Sequence, residues 1–231
     1  MIEDLERIGE RGAVLAPGSG APVSLAPSNA PGDRVVRLVP EGAPRASLVH
    51  APAAPVDSGG IGKGLALRWA AAAAMRVLAT GSGLLLDAGG DIASAGVAPA
   101  DGWRVGIEDP IAPGPGAEPL AVVAVQRGAV ATSSVRVRNW MGPDGRRMHH
   151  LLDPRSGQPA RTGLIAVTVA GVDPAWTEVW TKALFLAGRD SIGEEARSRG
   201  LAAWWVDDAG RLGMTPEARL CSAWVADARM G

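Results

Sequence analysis

Asp57-Ser58-Gly59-Gly60-Ile61-Gly62-Lys63-Gly64 sets four glycines and one lysine directly ahead of residues 64–79, a proline-free run of strong helix formers. Such a junction predicts a glycine-rich loop feeding a helix. Leu67, Ala71, Met75 and Leu78 recur at helical spacing and predict its core stripe. Glycine lacks a Cβ and admits positive φ, a helix N-terminus carries partial positive charge, and Lys63 adds a full one. An anionic, phosphorylated ligand is the first reading. The other is a tight connection with a solvated lysine. The loop is not a Walker motif, because Leu65 follows Gly64 where Ser or Thr is needed. Nor is it a GxGxxG turn after a strand, since Pro52 and Pro55 break the preceding run.

Downstream, Gly81 and Gly83 predict the helix stop, and Leu84-Leu85-Leu86 a buried strand. Asp87-Ala88-Gly89-Gly90-Asp91 reads as a second glycine turn bearing two carboxylates. Alternation and turn signals predict strands at 103–107, 119–126, 128–132, 148–152, 164–170, 201–206 and 219–226. Helices are predicted at 174–186, with Trp176, Val179, Ala183 and Leu186 as the core stripe, and at 190–198. Residues 13–55, rich in Pro, Gly, Ala and Ser, predict loops around one or two short strands. Strands and helices without strict alternation predict an α+β fold, mixed sheets packed with helices, in a single domain over 1–231.

A net charge of −1, with no basic run longer than Arg146-Arg147, excludes the electrostatic footprint of a nucleic-acid binder. One cysteine, Cys221, excludes an internal disulfide and a cysteine-built zinc cluster. Arg68 and Arg76 interrupt the richest apolar stretch, 66–79, so no membrane span is expected. The N-terminus has neither a basic region nor an apolar core, so the chain as written is expected in the cytoplasm. If its start is truncated, an extracytoplasmic site is expected instead.

Four polar clusters stand at element ends, where a fold can turn side chains into one cleft. They are the glycine loop, Asp87–Asp91, Ala131-Thr132-Ser133-Ser134 and His149-His150-Leu151-Leu152-Asp153-Pro154-Arg155-Ser156-Gly157. A histidine in such a place is a candidate general base, with Asp153 either orienting it or organising a β-turn. Thr132 and Ser133 could bond phosphate or satisfy a turn. Without GxSxG, serine-hydrolase chemistry is disfavoured.

In order, these motifs resemble one family, the FAD:protein FMN transferases or ApbE-type flavinyltransferases. The glycine loop is similar to its DLGGIAKG, Asp87–Ile92 to NAGGDI, and Trp103–Pro110 to W-x-VGIEDP. Ala131-Thr132-Ser133 is similar to the start of ATSG, and His150–Gly157 to HIIDPRTG. The resemblance covers residues 55 to 190. It implies FAD held with Mg²⁺ on its pyrophosphate, and attack by a threonine hydroxyl of an acceptor flavoprotein on the FMN phosphorus with release of AMP. Asp57 and Lys63 would contact FAD, with Gly59, Thr132, Ser133 and Leu151 as further cofactor-binding candidates. The backbone carbonyl of Gly60 would ligate the metal. His150 would assist deprotonation of the acceptor, and Asp153 would orient its loop.

Two departures accompany the resemblance. The family's late helix carries D-A-L-A-T, whose Asp and Thr complete the metal site; here Glu178 and Lys182 stand at those positions. Thr181 lies one residue earlier, about 100° away around an ideal helix, so Glu178 and Thr181 are the substitute metal candidates. A solvent-facing Glu178–Lys182 ion pair is the alternative. Second, residues 1–54 show no GAFDP-like flavin-binding segment, which predicts a shortened N-terminal part. Three functions fit these features: a flavinyltransferase, a noncatalytic FAD- or nucleotide-binding homologue with an impaired metal site, or a scaffold on the same fold.

Overall fold

The computed structural model describes residues 13–15, 22–27, 34–40, 47–51 and 58–226. The chain divides into two compact units, Met1–Gly59 and Gly60–Gly231. In the first unit, β1 (Ala13–Leu15), β2 (Pro22–Pro27), β3 (Arg34–Pro40) and β4 (Ser47–Ala51) form an antiparallel meander in that order. Four strands thus stand where one or two were expected. Pro22, Pro27 and Pro40 sit at strand ends, where a missing N–H costs the ladder least.

The second unit opens with α1 (Gly62–Met75), which follows a 3-10 turn at Ser58–Gly60. Gly64, Leu67 and Ala71 form its buried line. Leu78 lies beyond the helix end and is 41% exposed, so the predicted stripe stops short. A hairpin follows, β5 (Gly83–Ala88) and β6 (Asp91–Gly96). Its two-residue turn is Gly89-Gly90, with φ of 64° and 89°, a conformation matched to the strand twist and open to glycine. The Gly90 N–H donates to Asp87 Oδ1 at 2.8 Å.

The remaining strands are β7 (Trp103–Ile107), β8 (Ala121–Val125), β9 (Gly128–Ser134), β10 (Asn139–Met141), β11 (Arg147–His149) and β12 (Leu164–Gly171). Then come α2 (Pro174–Ala187), α3 (Ile192–Ser198), β13 (Ala202–Asp207), β14 (Leu212–Met214), α4 (Pro216–Cys221) and β15 (Ser222–Val225). Residues 219–221, expected at the start of a strand over 219–226, instead end the helix that begins at Pro216. Thr215 Oγ1 caps that helix by accepting the Ala218 N–H, and Pro216 starts the first turn.

A six-stranded antiparallel sheet, ordered β14-β13-β12-β9-β6-β5, is the frame. One face packs on the three-stranded sheet β15-β8-β7 through Val105, Val123, Val130, Trp204, Val206 and Leu212. The opposite face meets α2 and α3 through Val167, Val169, Leu184, Phe185 and Ile192. Because β12 is covered on both faces, Leu164–Val169 is buried without alternation. No helix among the described residues is long and apolar enough to cross a membrane.

Candidate functional site

The inward face of α2 is not the predicted stripe. Trp176 is 58% exposed and Leu186 lies at the surface, while Ala175, Thr177, Glu178, Thr181, Leu184 and Phe185 are buried. Three of these six are polar, so the helix is turned by what its polar groups bond to as well as by its apolar ones.

Glu178 is the centre of that polar face. Its side chain is almost wholly buried, with Oε2 accepting the Gly64 N–H at 2.8 Å and Oε1 accepting Lys182 Nζ at 3.1 Å. The solvent-facing ion pair is thereby corrected: the i,i+4 pair exists, but its carboxylate is turned inward. α1 has no side-chain cap of its own. A carboxylate from another helix satisfies one of its first-turn donors and supplies the negative charge its N-terminus favours. This contact is possible because Gly64 has no side chain; a Cβ there would run into the backbone of Pro174 and Ala175. A second tie joins the helices, Arg68 to Asp173 at 2.9 Å. Asp173 also caps α2, accepting from the Ala175 and Trp176 N–H groups. Burial raises the Asp173 carboxyl pKa, but Arg68 and the two N–H bonds outweigh it and leave it below the ordinary value.

Lys63 reaches the second glycine turn. Its Nζ lies 2.6 Å from Asp91 Oδ2, and the other Asp91 oxygen accepts the Thr132 N–H at 3.2 Å. Asp91, one of the two carboxylates of the second glycine turn, is 2% exposed and had been given no role from sequence. Its signal was the carboxylate closing a Gly-Gly turn. Successive strand residues face opposite sides, so Thr132 and Ser133 do not line one surface. Ser133 Oγ meets Thr181 Oγ1 at 2.7 Å on the α2 side, whereas Thr132 Oγ1 meets Thr168 Oγ1 at 2.9 Å on the other.

His150 lies within the field of Lys182. His150 Nδ1 lies 3.3 Å from the Arg138 carbonyl. A carbonyl only accepts, so Nδ1 carries the proton and Nε2 keeps its lone pair in the neutral ring. Burial lowers the His150 pKa most, and the charges of Arg138, His149 and Lys182 lower it further against the opposing Arg138 bond. The neutral, proton-accepting form is favoured. Asp153 does not bond His150; its Oδ1 accepts the Arg155 N–H at 2.9 Å and its carbonyl accepts from Ser156 and Gly157. It organises its own turn. Leu151 belongs to the apolar core, its carbonyl accepting from Ala160.

His149 is the neighbour that sequence reasoning passed over. Its Nε2 lies 3.1 Å from the Ala160 carbonyl, its buried Nδ1 has no partner, and its ring meets Phe185 edge-on. It lines a cavity of about 560 Å³ together with Arg146, Arg147 and Arg161.

Gly59 and Gly60 stand in the 3-10 turn, and Asp57 lies outside the described residues. A Cβ built on Gly60 would lie 3.9 Å from Lys182 Cδ, so the lysine stem runs beside the loop. The expected metal ligands Gly60, Glu178 and Thr181 do not form a fitting donor set. Both Glu178 oxygens already accept hydrogen bonds, one of them from an ammonium. The fully buried Thr181 hydroxyl donates to the Glu178 carbonyl at 2.7 Å while meeting Ser133. Among the described residues, no group of three or more His, Cys, Asp or Glu is placed to hold a metal ion.

Residues 25–205 match the profile described as the ApbE family. A Rhodobacter capsulatus protein named FAD:protein FMN transferase is 30% identical over 172 residues, covering 73% of this chain and 31% of that protein. One of the same name from Escherichia coli strain K12 is 31% identical over 108 residues, 47% of this chain and 30% of that protein. The apo crystal structure of Pseudomonas stutzeri flavinyl transferase ApbE gives a TM-score of 0.63 at 26% identity, over 78% of this chain and 55% of that one. The crystal structure of the ApbE protein from Thermotoga maritima shares the fold, with a TM-score of 0.67 at 24% identity over 96% of this chain and 64% of that one. The chain spans about a third of the length of these two curated relatives.

Proposed function

This chain belongs to the ApbE family, and on that premise we propose that it transfers FMN from FAD to a threonine hydroxyl of an acceptor protein, releasing AMP. The observation that carries the reading is the bond between the glycine-loop lysine and the carboxylate of the second glycine turn, Lys63 to Asp91 at 2.6 Å. It joins two of the five motifs across the fold, and Ser133 to Thr181 joins another to α2.

The chemistry is phosphoryl transfer, which needs positioning, charge neutralisation and a base for the incoming hydroxyl. Neutral His150 would take the threonine proton on Nε2 as the hydroxyl oxygen bonds to the FMN phosphorus. The bond from that phosphorus to the bridging oxygen breaks, and AMP leaves with the oxygen. Lys63 and Lys182 are the cations beside the glycine loop. Asp153 holds the turn that follows His150. Mg²⁺ accompanies the resemblance, but the donor set here does not fit it.

The test is incubation of the chain with FAD and an acceptor bearing the flavinylation threonine, read as in-gel flavin fluorescence on the acceptor. Transfer is expected, falling by about a hundredfold or more in His150→Gln. FAD retention without transfer would favour a noncatalytic flavin-binding homologue, and no FAD binding would leave a scaffold.

A further inference from the structure

We propose that the Lys182 ammonium is this chain's built-in counter-charge for the FAD pyrophosphate, so that FAD binds without a divalent cation. The proposal rests on the flavin-transfer reading above and concerns what neutralises the ligand there.

The Glu178–Lys182 pair is asymmetric in burial. The carboxylate side chain keeps 1% of its surface, and the lysine side chain keeps 21%. A ligand at the loop therefore meets the cation, not the anion. The bond to Glu178 uses one of the three ammonium donors and leaves two for oxyanions. The stem runs beside Gly60, and the ammonium is near enough to His150 to lower its pKa. Lys182 thus runs beside the glycine loop with its charge felt at the candidate base, and the scissile phosphate of the proposed reaction would lie within its reach. A magnesium ion on Glu178 would sit about 2.1 Å from a carboxylate oxygen. With Lys182 Nζ already 3.1 Å from Oε1, a dication there would face a like charge at close range. The other nearby cation, Lys63, is paired with Asp91 in the same asymmetric way, its side chain keeping 35% of its surface, and adds a second positive charge at the loop.

Calorimetric titration of the 231-residue chain with FAD, in EDTA and in excess Mg²⁺, tests this. The wild-type affinity should differ by less than about twofold between the two conditions. Lys182→Met should weaken FAD binding in EDTA by about tenfold or more, and Lys182→Thr should make binding Mg²⁺-dependent. A side chain that only supports the fold would not create metal dependence. Wild-type affinity that rises about tenfold or more with Mg²⁺ overturns the proposal and leaves the flavin reading standing; this arm decides the matter even if the variants fail to fold. FAD affinity unchanged in Lys182→Met also overturns it. No FAD binding under any condition, by a chain shown folded by circular dichroism, overturns both.

Discussion

The two faces of the six-stranded sheet are covered by different physics. On one, Val105, Val123, Val130, Trp204, Val206 and Leu212 pack against the three-stranded sheet without a charged group among them. On the other, α2 brings Leu184 and Phe185 to one stretch of the sheet and Thr177, Glu178 and Thr181 to the inward polar surface. Burying apolar groups stabilises at about 25 cal/mol per Å² whatever their directions. Burying a carboxylate costs several kcal/mol unless its partners are well placed. The apolar face therefore secures the fold, while the polar face fixes side-chain positions, and this division marks where the site lies.

The comparison breaks most visibly at Trp204. Trp204→Ala should cost about 3–5 kcal/mol in urea unfolding, while the folded fraction keeps its FAD affinity. A loss of FAD binding beyond the unfolded fraction would mean that the two faces are not separable. A smaller effect is expected at Gly64. Its replacement by Ala forces α1 away from Pro174 and Ala175 at about 1–3 kcal/mol, and here FAD affinity should fall as well because the bond to Glu178 is disturbed. Unchanged affinity would place the helix crossing outside the site.

The smallest effect is a pH dependence. Burial is the largest cause holding both His149 and His150 below the ordinary value of about 6.5. The unfolded chain then binds more protons than the folded one between the folded-state values and about 6.5. Stability should decline as pH falls through that window and level off, for these two groups, below it. A His149→Gln, His150→Gln double variant should flatten the decline in pH-dependent urea unfolding.

Much of the frame was legible in sequence because alternation and turn chemistry are local. The strand at 103–107 coincides with β7, and the helix at 174–186 with all but the last residue of α2. The orientation of α2 was not legible. Apolar periodicity selects Trp176, Val179, Ala183 and Leu186, but it gives no weight to Thr177, Glu178 and Thr181; Thr181 meets Ser133, 48 residues away, and Glu178 meets Gly64, 114 residues away. The same limit hid the Lys63–Asp91 bond. The spacing of Glu178 and Lys182 revealed a pair, yet which member faces solvent is set by Gly64 on another helix. At residues 219–221 apolar alternation pointed to a strand, but the Thr215 cap and Pro216 start a helix that runs through them.

Gly64 also ties three distant positions into one heritable unit. The absence of a side chain at 64 lets α1 approach α2, that approach brings its N–H to Glu178, and Glu178 in turn anchors Lys182. A descendant of this chain that changes residue 182 alone inherits an unbalanced buried carboxylate, and one that changes residue 64 alone pulls that carboxylate's other partner away. Its workable routes of divergence run through paired changes, which makes the present lysine harder to lose than a single codon would suggest.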